Sequence, residues 1–416
     1  MNKRKLTFKK KVRKNESGPS LTQIVLILSA VCAVFLGGYR LLGTRPQEEA
    51  EAAAYTDLDK ARELAAVQDF AGARPLLERI VEKADDPAVT PEALLLLADI
   101  EAAAGEKEAA LAHLERAATQ YAGSRAQPTA ALRYARLLDE MGRTPEARAL
   151  YDDVRRNTAP EIRAAALVGL GRDLERQGQL VAARDQYAQA VRDAKWSGPE
   201  CMEALDALGR LNVALIFSTV QTPESKTYDV QPGDSLTSIG IKLNTTQGLL
   251  CRANNLDETS TLRPGQPLKY TPKDFRIVIE RSTRRLYLLD MDGVFRCYSV
   301  GLGMPGHETT LGKYKIGTKE KDPVWHKAGS EPIPAGDPRN ELGTRWMPLV
   351  PIEEGLPTDL GIHGTIAPDT IGQYSSHGCA RMHKEDVEEL YDLVVRSTPV
   401  EIVDVFEPGH IETGQG

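Results

Sequence analysis

The chain has 416 residues, and its 52 lysines and arginines against 59 aspartates and glutamates give a formal net charge of −7. A hydrophobic content of 41% supplies enough apolar side chains for folded cores, so wholesale disorder is excluded. Five cysteines in a chain of this length exclude a small scaffold held together by disulfides.

The charge is distributed unevenly along the chain. Residues 1–14 carry eight basic side chains and no acid, which leaves 44 basic against 59 acidic side chains in the remainder. The body of the protein therefore has a net charge of −15. A basic arm that binds nucleic acid is disfavoured by this acidic body, and we predict that residues 1–20 form a cytoplasmic tail.

An uncharged apolar run follows the basic block. Residues 21–39 contain no charged side chain and would extend about 28 Å as a helix, which nearly spans a bilayer core. The basic block before it predicts a cytoplasmic N-terminus. We expect a transmembrane helix over residues 21–43 that anchors the chain once in the inner membrane, with the rest periplasmic or otherwise extracytoplasmic. A cleaved signal peptide and a buried soluble helix are the alternatives, although the run exceeds the ~7–15 apolar residues of a signal core.

Between residues 50 and 217 the chain is rich in Ala, Leu, Glu and Arg, and one pattern occurs four times. A glycine, or a glutamine in the first copy, recurs at intervals of 37, 37 and 36 residues, followed after five positions by an alanine and after four more by a large residue. These positions are Gln68, Gly105, Gly142 and Gly178; Ala73, Ala110, Ala147 and Ala183; and Leu77, Leu114, Tyr151 and Tyr187. The period and the i, i+4 spacing predict a stacked array of helix-turn-helix units.

This region resembles tetratricopeptide-type repeats in architecture, although its period exceeds that family's ~34 residues and the Trp-Leu-Gly-Tyr part of the consensus is absent. The array is either a rigid spacer between membrane and C-terminal domains or a concave surface for a protein partner. The sequence leaves both interpretations open.

A small module follows a polar linker at residues 218–226. Residues 228–240 (Tyr-Asp-Val-Gln-Pro-Gly-Asp-Ser-Leu-Thr-Ser-Ile-Gly) predict a strand, a Pro-Gly turn and a helix capped by Asp234 or Ser235. A second helix over Thr246–Ala253 and a closing strand at residues 262–270 complete a βααβ pattern. Residues 227–272 resemble a LysM domain, which implies binding to the N-acetylated glycan of peptidoglycan or, alternatively, chitin.

Candidate chemistry lies in the last third of the chain. His363 follows a predicted strand, and residues 375–382 read Ser-Ser-His-Gly-Cys-Ala-Arg-Met. A thiol becomes nucleophilic when an imidazole accepts its proton, and both His363 and His377 are close to Cys379 in sequence. Gly378 permits a sharp turn, so we expect the N–H groups of residues 377–379 to converge on a developing oxyanion.

The histidines and cysteines of this segment also have other conceivable roles. His363, His377, Cys379 and His383 could bind zinc, but no recognised ligand spacing supports this. A disulfide through Cys379 would inactivate the site. Core or disulfide roles are the default for Cys201, Cys251 and Cys297, and Cys32 lies in the predicted membrane segment.

Residues 275–405 are identified as similar to the catalytic domain of the L,D-transpeptidases, the YkuD-like family, whose signature is a His-Gly pair followed by Ser-His-Gly-Cys. Supporting segments are residues 299–301, 310–316 and 333–340, the last leading to residues 342–347. Ala380 departs from the family, which has a larger aliphatic residue there. The resemblance implies that Cys379 is the nucleophile, that His363 is its base, and that the Gly364 carbonyl fixes the His363 tautomer.

The resemblance also implies supporting roles around the nucleophile. Ser376 would orient its neighbours, His377 and Gly378 would shape the oxyanion pocket, and Arg381 would steady the site or bind a substrate carboxylate. Arg345 is a further candidate for recognition of the wall. No metal or organic cofactor is implied. Trp325, Trp346 and Tyr374 could line the cleft, but core positions are the expected ones.

The sequence thus predicts a multidomain chain: a transmembrane helix, an all-α repeat array, a small α/β LysM module and a mostly-β catalytic domain, with residues 406–416 as a C-terminal tail. Its expected partners are peptidoglycan stem peptides and glycan strands, and not nucleic acid. The resemblance to the L,D-transpeptidases implies that the activity is L,D-transpeptidation, with a thioester at Cys379 and release of D-Ala from a tetrapeptide stem. An L,D-carboxypeptidase and a wall-binding scaffold with a degenerate site are the alternatives.

Overall fold

The computed structural model describes residues 52–83, 85–291, 293–326, 329 and 331–407. The predicted cytoplasmic tail, the transmembrane helix at 21–43 and residues 408–416 lie outside the described residues. Among the helices of the described ranges, none is both long and apolar enough to cross a membrane. The chain divides into two compact units at residues 131 and 132, which are taken in turn.

The first unit consists of paired helices around a small apolar core. Side chains from its first three helices share this core, among them Leu58, Ala73, Leu77 and Leu97. The helices are α1 (52–66), α2 (Phe70–Lys83), α3 (Thr90–Ala104), α4 (Lys107–Thr119) and the start of α5 (Gln127–Glu140).

The second unit continues with α6 (Thr144–Asn157), α7 (Pro160–Arg176), α8 (Leu180–Asp193) and α9 (Pro199–Ile216). Two glycines on α7 let neighbouring tyrosines approach closely. A Cβ at Gly169 would lie 2.5 Å from the Tyr151 ring, and one at Gly171 would lie 2.7 Å from the Tyr187 ring. Both tyrosines are at most 2% exposed, so the large residue of the repeat is a core residue of the array.

The structure gives the repeated positions a physical meaning. The four recurring turn residues all have positive φ, between 60° and 82°, the left-handed conformation that ends a helix. The four alanines that follow are at most 1% exposed, because they lie where helices make close contact. The predicted helical repeat architecture is confirmed.

The small module has the predicted βααβ order: β1 (Lys226–Asp229), α10 (Leu236–Lys242), α11 (Gln247–Ala253) and β2 (Pro267–Tyr270), with β1 and β2 antiparallel. Ser235 is the N-cap of α10, where its side chain and that of Ser238 form a reciprocal capping box. Thr246, expected inside the second helix, is instead its N-cap and accepts a hydrogen bond from the Leu249 N–H.

The described residues after the small module form the strands β3 (Arg276–Glu280), β4 (Arg285–Asp290), β5 (Gly293–Ser299), β6 (Leu302–Gly303), β7 (Gly312–Ile316), β8 (Glu320–Lys321), β9 (Arg345–Pro351), β10 (Gly361–His363), β11 (Tyr374–Ser376), β12 (Ala380–Arg381) and β13 (Pro399–Val403). Nine of these strands build a mixed sheet in the order β12-β10-β9-β7-β13-β3-β4-β5, with β8 beside β9. The short parallel strands β6 and β11 pair with each other outside this sheet.

The domain begins with a meander, because β3, β4 and β5 are consecutive antiparallel neighbours. Helix α12 (Lys384–Leu393) follows the loop that carries Cys379. Its apolar face, Val387 and Leu390 with Val394 just beyond its end, is fully buried in the domain core. The domain is mostly β, as expected.

Specific contacts join the modules of the second unit. Asn212 of α9 donates a 2.9 Å hydrogen bond to the Phe295 carbonyl of β5. Arg252 of α11 forms a 3.3 Å ion pair with Asp392 of α12. Lys269 is 5% exposed and donates to the carbonyls of Leu215 and Ser218, so the predicted linker is fastened to the small module.

Candidate active site

Two short parallel strands bring the predicted site residues together. His363 of β10 pairs in register with Arg381 of β12, and Ile362 pairs with Ala380. Successive side chains of a strand point to opposite faces. Because Ile362 and Ala380 are buried in the core, His363, Arg381 and the residue just before β12, Cys379, lie on the other face.

The His363 imidazole is held in one orientation inside the protein. Its Nδ1 lies 2.7 Å from the Gly364 carbonyl oxygen, and only 4% of the residue is exposed. The Trp346 ring lies beside it at a centroid distance of 5.7 Å. An Nδ1–H donated to the carbonyl leaves Nε2 as the ring nitrogen that can accept a proton.

Burial decides the charge of this imidazole. It lowers the pKa of His363 to about 4, and the positive charge of Arg381 acts in the same direction. The backbone carbonyls of Gly364 and Glu341 oppose the shift by favouring the protonated ring. His363 is therefore neutral at physiological pH, which is the state required of a base.

The Cys379 thiol is half-buried, and its Sγ lies 3.7 Å from the Asp359 carbonyl oxygen. Burial raises the pKa of Cys379 to about 11, whereas a hydrogen bond from the Gly361 backbone opposes the shift. The charge of Asp359 raises this pKa further, and that of Arg381 lowers it. The resting site thus holds a thiol and a neutral imidazole, not a preformed ion pair.

The loop before Cys379 is fastened by one hydroxyl. Ser376 Oγ accepts a 3.2 Å hydrogen bond from the Gly378 N–H and donates a 2.7 Å hydrogen bond to the Cys379 carbonyl. Gly378 has φ of +118°, a conformation that favours glycine. The expected convergence of three N–H groups is thus incomplete. The Gly378 N–H is already used by Ser376. Of the N–H groups of residues 377–379, only those of His377 and Cys379 lack a hydrogen-bond partner within the described ranges.

His377 contacts a histidine that the sequence did not single out. The rings of His377 and His307 are in edge-to-face contact at a centroid distance of 5.0 Å. His307 lies in the loop after β6, 70 residues before His377 in the chain. No local motif marks His307, because its position depends on how the loops fold together.

Arg381 is already engaged within the protein. Its guanidinium forms a 2.7 Å ion pair with Glu341, and a second nitrogen lies 3.5 Å from the Ser375 carbonyl oxygen. The side chain is 13% exposed. This geometry favours the steadying role of Arg381 over binding of a substrate carboxylate. Glu341 was missed because nothing in its local sequence marks it.

The other candidates lie in varied surroundings. Trp346 covers Gly361 so closely that a Cβ there would lie 2.2 Å from its ring. Tyr374 is 45% exposed, so a core position was wrong for it. Trp325 forms an isolated bridge with Ile333. Arg345 packs against α12, near Glu388 and the Tyr391 ring, away from the face that carries His363.

The structure also bears on the two alternative roles of Cys379, zinc binding and disulfide formation. In the part of the chain that the structure describes, no three His, Cys, Asp or Glu side chains are grouped so that they could hold a metal ion. His383 is the N-cap residue of α12. The four described cysteines, Cys201, Cys251, Cys297 and Cys379, are unpaired.

Comparison with protein-family models gives three matches. The model of the L,D-transpeptidase catalytic domain matches residues 274–402, that of the LysM domain residues 228–271, and that of a tetratricopeptide repeat-like domain residues 19–209. These three predicted resemblances are confirmed.

Individual proteins are also similar. "Putative L,D-transpeptidase YqjB" of Bacillus subtilis is 31% identical over 32% of this chain and 73% of its own length. "Putative L,D-transpeptidase YkuD" of Bacillus licheniformis is 30% identical over 42% of this chain and 97% of its own length. Among solved structures, an L,D-transpeptidase from Mycobacterium smegmatis is 14% identical over 33% of this chain and 63% of that one, with a TM-score of 0.26.

The role of Ser376 can be tested by Ser376→Ala. The substitution removes both hydrogen bonds that fasten the loop, so we expect faster hydrogen exchange at the Gly378 amide and a loss of about 1–2 kcal/mol in stability. Mass spectrometry of the peptide that contains Gly378 measures the exchange. Ser375→Ala is the matched control, because Ser375 Oγ donates to the Thr370 carbonyl and does not contact Gly378. Equal exchange in the two variants would contradict the assigned role.

Proposed function

Because the chain belongs to the L,D-transpeptidase family, we propose that it cross-links peptidoglycan through a thioester at Cys379 and releases D-Ala from a tetrapeptide stem. The observation that carries this proposal is the parallel pairing of β10 with β12, which puts His363 and Cys379 on one face. The LysM domain would hold the enzyme on glycan strands of the wall. The stem peptides are the donor and acceptor substrates in this proposal.

The proposed acylation begins from the neutral pair. Cys379 attacks the carbonyl carbon of the third stem residue while its proton passes to His363 Nε2. The oxyanion would be stabilised by the free N–H groups of His377 and Cys379. As the intermediate collapses, His363 returns the proton to the amine of D-Ala, which leaves, and a thioester remains.

The second half of the reaction uses the same groups. An amine of another stem attacks the thioester carbonyl, and its proton passes to His363. The thiolate of Cys379 leaves and recovers that proton, which restores the resting pair. If water replaces the amine, the same steps give an L,D-carboxypeptidase. The product of the reaction therefore distinguishes these two activities, a cross-linked dimer in one case and a free tripeptide stem in the other.

The nucleophile is tested by Cys379→Ala. We expect release of D-Ala from a purified tetrapeptide stem to fall to background, because the side chain that forms the thioester is lost, while binding to sacculi persists. Cys297→Ala is the control, since this partly buried β5 cysteine lies outside the site. An active Cys379→Ala variant would refute the mechanism. The wild type could instead bind sacculi while mass spectrometry detects no carbapenem adduct at Cys379. In that case the protein is a wall-binding scaffold with a degenerate site and not an enzyme.

The neutral state of His363 predicts how the rate of D-Ala release depends on pH. His363 accepts a proton only when it is neutral, and burial lowers its pKa to about 4. We therefore expect the rate of D-Ala release to stay level from neutral pH down to about pH 5 and to be lost as the pH falls through about 4. An exposed imidazole would begin to fail near ~6.5. Circular dichroism at each pH shows whether the protein is still folded, and a midpoint between about 6 and 7 would contradict the proposal.

We propose further that residues 21–43 anchor the protein in the inner membrane, with the N-terminus cytoplasmic and the catalytic domain periplasmic. The uncharged run after a basic block supports this. Full-length protein should remain in membranes washed with alkaline carbonate, and a variant without residues 1–43 should be released. A full-length product that is released, or shortened at its N-terminus, would favour a signal peptide. In this arrangement the repeats hold the catalytic domain away from the membrane or dock a protein partner.

A further inference from the structure

The segment that leads into β9 is pinned beside the active site by Asn340. This residue is 2% exposed, and its Nδ2 lies 2.9–3.2 Å from the carbonyl oxygens of Pro323, Ile333 and Pro334. Its Oδ1 accepts a 3.1 Å hydrogen bond from the Leu342 N–H. The backbone on both sides of Glu341 therefore has a fixed course, so that Glu341 is presented to the site in one position.

Glu341 acts on the site through two different groups. Its carboxylate forms the 2.7 Å ion pair with Arg381, and its backbone carbonyl favours the protonated form of the His363 ring. Arg381 is in register with His363 on the neighbouring strand. Glu341 therefore acts both on His363, the proposed base, and on Arg381, the cation that is paired in register with His363.

The charges around the reactive pair come from several elements. Asp359, before β10, faces Cys379, and Arg381 of β12 acts on both Cys379 and His363. His377, in the loop before Cys379, contacts the ring of His307. In this set Glu341 is the acid that is ion-paired with Arg381. The Arg381 side chain is 13% exposed and that of Glu341 is 37% exposed, so water screens this ion pair only in part. Removal of the carboxylate therefore leaves more of the Arg381 charge acting on His363 and Cys379.

We propose that Glu341 is a positioning residue of the active site: it holds Arg381 through its carboxylate and thereby sets the charge that the His363 and Cys379 pair experiences. The inference rests on the proposed function for the roles of His363 and Cys379. It goes beyond that function because it assigns a role to a residue outside the family motif. Without the carboxylate, the full charge of Arg381 would favour the thiolate and oppose the imidazolium.

The test uses the full chain and the near-isosteric substitution Glu341→Gln. The readout is the pH dependence of Cys379 alkylation by iodoacetamide, followed on the peptide that contains Cys379 so that other cysteines do not contribute. We expect the midpoint to move to lower pH by about 0.5–1 unit. We expect kcat for D-Ala release to fall about three- to ten-fold at nearly unchanged KM, because a weaker base accepts the proton less readily.

Three comparisons separate positioning from a structural role. Glu341→Asp keeps the charge and should restore the wild-type midpoint. In an Arg381→Gln background, Glu341→Gln should no longer shift it, because the two residues act through one interaction. Asp337→Asn is the matched control: it removes a carboxylate from the same segment, and Asp337 pairs with Arg339 instead of Arg381.

The proposal is overturned if Glu341→Gln leaves the alkylation midpoint unchanged, or if Asp337→Asn shifts it equally. Thermal unfolding of each variant shows whether the protein has remained folded, and Glu341→Ala, which also removes the carboxylate, replaces Glu341→Gln if the latter unfolds. Failure of the proposed function gives a different result. In that case the wild type forms no carbapenem adduct, whereas the alkylation profiles can still be measured and compared.

Discussion

The parallel pairing of β10 with β12 is the constraint on which the catalytic part of this protein depends. Each strand has only two or three residues, yet their register decides which side chains share a face. Ile362, Ala380 and Met382 point into the core, and burial of these side chains holds the register in place. A slip of one residue would turn the site residues inward and expose the core residues, which is unfavourable. The core thus maintains the geometry of the site.

This constraint explains why the site is neutral at rest. The same packing that holds the strands withdraws His363 and Cys379 from water, which lowers the pKa of the imidazole and raises that of the thiol. Proton transfer would then accompany attack on the substrate and not precede it. Such a thiol reacts slowly with adventitious electrophiles, because little thiolate is present until a substrate is positioned.

Contacts between modules orient them on the catalytic domain, just as core packing holds the register of β10 and β12. Helix α12, which follows the loop that carries Cys379, contacts the LysM module through the ion pair of Asp392 with Arg252. The last repeat helix contacts the edge strand β5 through Asn212. A wall-binding module attached in this way has a defined orientation relative to the active site. Glycan held by such a module would then approach the catalytic domain from a preferred direction.

Much of this architecture could be read from the chain itself. The repeat period, the short apolar runs of β3 and β4, and the Ser-His-Gly-Cys motif are local patterns, and local backbone preferences express them directly. The LysM module was predicted for the same reason, because its caps and turns lie within a few residues of the strands and helices they bound. These features depend on neighbours in sequence, so the sequence is sufficient for them.

Other features required the tertiary structure. Three features depend on where distant segments meet: the contact of His307 with His377, the packing of Arg345 against α12 and the exposure of Tyr374. Glu341 is the clearest case, because 40 residues separate it from Arg381. The sequence by itself determined the modules and the reactive pair, since these follow from local pattern. Only the fold decided the protonation state of that pair and its charged neighbours, because burial and Coulomb interactions depend on distance in space.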